Sequence, residues 1–227
     1  MGTAREKEHS IMRRNSLLIV SILGLAVVLV YLGAATGILR GADNLTLALV
    51  FAIGPVAIVG VISISRRLAP QGGSLVLRAG TTFLTIGFAL FTLMLVVQQT
   101  IFIQFRQFRS EAAGQAVQDA LALVFKGVNL VQLGADVAFD IFYCLGMILL
   151  AAVMYRHRDF GKVFGIFGIA SAAALLAFNL YTFPYIPADS GLVDLGPVTG
   201  LWWLAVIVQF FRLERKARSA AKPVREP

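Results

Sequence analysis

Apolar residues gather in long runs along this chain, and most charged residues fall between the runs. A transmembrane helix needs about 20 mostly apolar residues. Six runs qualify, at residues 17–39, 45–64, 79–103, 129–155, 163–183 and 195–211. Arg5, Lys7, Arg13 and Arg14 precede the first run as they would a signal peptide. That run is too long for a signal core of about 7–15 residues, so it is read as an uncleaved span.

Residues 110–128 show a different pattern. Val117, Leu121, Val124, Phe125 and Val128 recur at helical spacing, opposite Gln115, Gln118 and Asp119. This amphipathic stretch either lies in the outer membrane interface or extends the fourth span. The reading favoured is an interfacial or re-entrant helix that breaks near Gly127.

Lys and Arg set the orientation. Four precede the first run, three (Arg66, Arg67, Arg78) follow the second, three (Arg156, Arg158, Lys162) follow the fourth, and six follow the sixth. The other side holds only Arg40, Arg106, Arg109 and Lys126. Sixteen of 20 basic residues therefore alternate onto one side, which makes that side cytoplasmic. The pattern predicts an all-α, polytopic membrane helix bundle of six transmembrane helices, N-in and C-in, plus one outer interfacial or re-entrant amphipathic helix. Residues 1–16 form a basic cytoplasmic segment, 17–213 the membrane domain, and 214–227 a basic, disordered cytoplasmic tail.

Composition agrees. The chain is 58% hydrophobic and 14% charged, against about 45–50% and about 25% in soluble domains. The net charge of +8 is assigned to topogenic loops and to anionic lipid headgroups on the cytoplasmic side. Nucleic acid is excluded as a partner, because no segment is long enough for a folded basic face. With its single cysteine, Cys144, the chain has no internal disulfide. A bacterial inner membrane is the expected location.

The candidate chemistry lies in the fourth span. Ionisable residues inside a span are costly and usually face the bundle interior or a water-filled cavity. At about 100° per residue, Asn129, Gln132, Asp136, Asp140 and Tyr143 fall within an arc of about 80°. Asp140 lies 16 residues before Arg156, roughly 24 Å along the axis, which places it in the outer half of the membrane. Thr81, Thr85, Thr92, Gln99 and Arg106 form a matching line on the third span. Gly161, Gly165, Gly168, Ala172 and Asn179 form one on the fifth, where small residues let backbones approach closely. These lines suggest an outward-opening acidic pocket. Asp140 is its base, Asp136, Gln132, Gln99 and Asn179 surround it, and Arg106 is a partner at its mouth. The pocket suits a proton, a cation or a small solute. The structural alternative is that these polar groups only fasten the helices together, each by about 0.6–2 kcal/mol. For the threonines and Asn179 that alternative is favoured. The glycine line is read as packing, with a dimer seam as the minority reading. Trp202 and Trp203 are read as packing or belt residues.

Much chemistry is missing. No His-Glu-x-x-His, Gly-x-Ser-x-Gly, P-loop or Gly-x-Gly-x-x-Gly sequence occurs. His9 and His157 lie outside the spans and cannot ligate a haem within them. No cofactor or metal is expected, and the balance leans away from an enzyme. Binding or transport of a small solute is the first reading. The second is a membrane subunit or regulator that packs on another membrane protein or on a second copy of itself.

Overall fold

The computed structural model describes Ala26, residues 44–69 and residues 74–220. The first expected span, residues 17–39, lies outside the described residues apart from helical Ala26, and so does the segment 1–16. Five helices follow: α1 (Asn44–Leu68), α2 (Leu75–Glu111), α3 (Gln115–Arg156), α4 (Gly161–Thr182) and α5 (Gly196–Ala220). All five are long and apolar enough to cross a membrane, and no strand occurs among the described residues. They coincide with the five apolar runs from residue 45 onward. α5 continues beyond residue 213 to Ala220.

The helices alternate up and down. Asp159, in the turn between α3 and α4, collects contacts from three directions. The Arg67 guanidinium at the end of α1 is 3.8 Å from its carboxylate, and that of Arg158 is 3.7 Å away. The Gln209 side chain on α5 donates to its backbone carbonyl at 2.6 Å. The basic residues that follow α1, α3 and α5 are thereby gathered at one end of the bundle, as their sequence alternation requires.

α2 and α3 have 37 and 42 residues, about 56 and 63 Å of helix. A hydrocarbon core is about 30 Å thick, so both overrun it. The excess lies at the end remote from Arg156, where Gly114 turns the chain with φ +90°, a conformation that favours glycine. The expected interfacial or re-entrant helix is corrected here. Residues 115–128 are the first turns of α3, which passes through Gly127 unbroken. Of the apolar side of that segment, Phe125 finds a partner in α2, while Val117, Val124 and Val128 stay exposed. The Phe125 ring stacks at 4.3 Å on Phe105 and meets Phe102 at 6.4 Å.

Close helix approach holds the bundle together. Lipid tails are as apolar as the side chains, so association rests on packing and on interhelical hydrogen bonds. A Cβ on Gly146 would sit 2.7 Å from the Leu84 nitrogen, and one on Gly87 would sit 3.0 Å from the Tyr143 nitrogen. Gly165 and Gly168 lie against Ala151 of α3, and Gly168 also carries the Trp202 indole. The glycine line of α4 is thus an internal seam. The main core gathers Leu84, Tyr143, Met147, Leu150, Met154, Leu175, Trp202 and Val206. A second cluster, Val50, Ile53, Phe91, Met94 and Leu95, joins α1 to α2.

Candidate functional site

The polar face of α3 is present as a continuous stripe, and its burial is graded. Asn129 is exposed, Gln132 and Asp136 are half-buried, and Asp140 and Tyr143 are buried. Asp140 retains 7% of its surface and Tyr143 5%. The stripe therefore runs from the surface into the bundle, deepest at the carboxylate and phenol.

Helix register decides which other residues reach it. In the α2–α3 pair, 87 faces 143, 91 faces 139 and 105 faces 125. Gln99 thus comes opposite 131–132, beside Gln132, and both are half-buried. In the α3–α4 pair, Gly168 faces Ala151. Asn179 lies 11 residues beyond the first and Asp140 11 before the second, so they come level. The Asn179 amide donates to Leu175 O of its own turn at 3.1 Å, and it makes no hydrogen bond to Asp140.

Arg106 is not brought near Asp140. By the same register it faces residue 124, 16 residues from Asp140, or about 24 Å along the axis. It is exposed on the projecting part of α2 and forms no ion pair among the described residues. The helical line from Thr81 to Arg106 exists, but a line along one helix does not fix height against its neighbour. The threonines on that line bond to their own backbone, at Leu77 O, Thr81 O and Phe88 O. Thr81 also meets the Ser65 hydroxyl at 2.6 Å, which fastens α1 to α2.

Two features escaped the sequence reading. Asp194, just before α5, lies within electrostatic reach of both Asp136 and Asp140. Its place at the outer start of the sixth apolar run was the available signal. The second is a bond between distant residues. The Trp203 indole donates to the Tyr143 hydroxyl at 3.0 Å, across 60 positions of sequence. Phe88 of α2 closes on both, with ring centroids 5.9 Å from Tyr143 and 6.3 Å from Trp203. Trp202 is 1% exposed and donates to Phe164 O at 2.9 Å, so it packs inside the bundle.

Asp140 is thus buried on α3, with Tyr143 and its aromatic partners one turn deeper and two further acids within electrostatic reach. Among the described residues no donor hydrogen-bonds its carboxylate, and no basic side chain pairs with it. No group of three His, Cys, Asp or Glu side chains among the described residues is arranged to hold a metal ion. The chain matches no protein-family model, no curated protein and no solved structure.

Proposed function

We propose that this protein is a six-span protein of a bacterial inner membrane, with both termini in the cytoplasm and a polar, acidic pocket that opens outward and binds a cation or small solute. The observation that carries the reading is Asp140. It is more than nine-tenths buried at the inner end of a stripe that starts in the open, and no described side chain neutralises it. Removing a carboxylate from water is expensive unless something compensates its charge. A proton or cation arriving along the stripe supplies that compensation. Gln132 and Gln99 stand at the approach, and Asp136 and Asp194 raise the local concentration of positive ligands.

The test is Asp140→Asn in protein reconstituted into lipid vesicles. The variant should insert and fold, but lose cation or solute binding and any flux that depends on it. Unchanged binding and flux, or a variant that simply fails to fold, would sink the reading.

One observation favours a second role. The α2–α3 hairpin projects beyond α4 and α5 and leaves Phe102, Phe108, Leu123, Leu130 and Val131 exposed. Such a surface supports a subunit or regulator that packs on another membrane protein or a second copy. Co-purification with such a partner, lost when Leu130 and Val131 are replaced by serine, is the outcome expected on that reading. A monomer without a partner would count against it.

A further inference from the structure

We propose that α5, where it leaves the hydrocarbon, forms a binding site for the phosphate headgroup of an anionic lipid, in the leaflet at the basic end of the bundle. Three observations lead to it.

The first is a cavity. Its volume is about 470 Å³, and Gln209, Arg212, Leu213, Arg215 and Lys216 line it. That size lies within the range of about 300–1,000 Å³ typical of small-ligand sites. At about 100° per residue, positions 209, 212, 213 and 216 share one face of α5 within about 100° of arc, and 215 flanks it. The acidic position 214 falls on the other side of the helix. Arg212, Arg215 and Lys216 thus bring three cations to one space.

The second is depth. Phe211 ends the apolar run of this helix, and the three cations follow it by one to five residues, about 1.5–7.5 Å along the axis. The headgroup layer on each side of the hydrocarbon is about 5–8 Å deep. The cations therefore stand at the depth of lipid phosphates. Gln209 holds them at that level. Its side chain donates to the Asp159 carbonyl at 2.6 Å and ties α5 to the turn between α3 and α4.

The third is the mixed chemistry of the wall. Leu213 is half-buried and packs against the main core, while Arg212, Arg215 and Lys216 are exposed. A free phosphate uses only the charges. A lipid uses both parts of the wall. The cations hold its phosphate through charge-assisted hydrogen bonds, the arginines in bidentate fashion. Leu213 covers the glycerol and the first methylenes of the acyl chains. Basic pockets at the cytoplasmic ends of spans suit such headgroups.

The experiment is binding of short-chain phosphatidylglycerol to the full chain in a neutral detergent. It is run at physiological ionic strength, where diffuse surface attraction is screened. Phosphatidylcholine of the same chain length and inorganic phosphate are the comparisons, and native mass spectrometry counts the lipids held. One bound phosphatidylglycerol is expected, preferred about tenfold over phosphatidylcholine. Arg212→Gln should weaken it about tenfold and Lys216→Gln about fivefold. Arg158→Gln removes a 90% exposed cation of the same basic end that does not line the cavity, and should change binding by less than about twofold. Melting temperatures report folding, and if Arg212→Gln does not fold, Lys216→Gln decides. Equal binding of the two lipids overturns the proposal. Equal losses in Arg158→Gln and in the pocket variant used also overturn it, because diffuse attraction to a basic surface predicts them. So does wild-type affinity in the pocket variants, which places the lipid elsewhere. Inorganic phosphate that displaces the lipid at equal concentration overturns the lipid as ligand and leaves a phosphate site.

Discussion

Replacing Gly165 by alanine should destabilise the bundle, although alanine is the better helix former. The added methyl would lie 2.7 Å from Tyr155 Cα and 3.0 Å from the Ala151 carbonyl oxygen. Both obstacles are backbone of α3, so no rotamer change relieves them. The helices must part or shift. Overpacking a well-packed site typically costs about 1–3 kcal/mol. The intrinsic gain from glycine to alanine in a helix is about 0.5–1 kcal/mol, which offsets only part of that. Gly60→Ala in α1 is the matched control, because a Cβ there meets nothing within 4 Å. In a chain of this size each kcal/mol moves the melting temperature by about 2–4 °C. Thermal unfolding in detergent, followed by the fluorescence of Trp202 against Gly168, should show Gly165→Ala lowered and Gly60→Ala unchanged or raised. Equal melting temperatures for the two variants would refute the claim that the α3–α4 seam depends on backbone approach at Gly165.

Four further outcomes are expected. Trp203→Phe removes the donor to the Tyr143 hydroxyl and should cost about 0.5–1.5 kcal/mol, read as a lower melting temperature. Gln209→Leu loses the 2.6 Å bond to Asp159 O and should loosen the turn at 157–160, seen as faster proteolysis at the basic end. Arg67→Ala breaks only the 3.8 Å ion pair to the same residue, so it should change stability by no more than about 1 kcal/mol, falling further in high salt. Arg106→Ala should leave cation binding unchanged, because about 24 Å of helix separates it from Asp140.

The spans from residue 45 onward were legible because a hydrocarbon solvent imposes a length of apolar chain that no soluble helix needs. The stripe from Asn129 to Tyr143 was equally legible, since it depends on the geometry of one helix alone. What could not be read was height between helices. Arg106 falls on the same line as Gln99, yet only the contacts of Gly87 with Tyr143 and of Phe105 with Phe125 fix its level. The segment 115–128 misled for a related reason. Its Phe125 packs on Phe102 and Phe105, and an amphipathic pattern looks the same whether part of it meets a lipid surface or another helix. The Tyr143–Trp203 bond joins two residues that the sequence reading treated separately, one on the polar face and one as packing. Asp194 was passed over because it stands outside any apolar run, although the turn after α4 folds it back toward the acids of α3.

The central claim is a water-accessible path from the outer surface to Asp140. Its most direct test is single-cysteine labelling along the stripe, with the native, buried Cys144 replaced by alanine. Cysteines at positions 132, 136 and 140 should react with a membrane-impermeant thiol reagent applied from outside. The rate should fall with depth, and bound cation should slow labelling at position 132, where Asp136 and Asp140 are both retained. Cysteines at 136 and 140 that stay inert from outside in a folded protein, or that react only from the cytoplasmic side, would contradict the account.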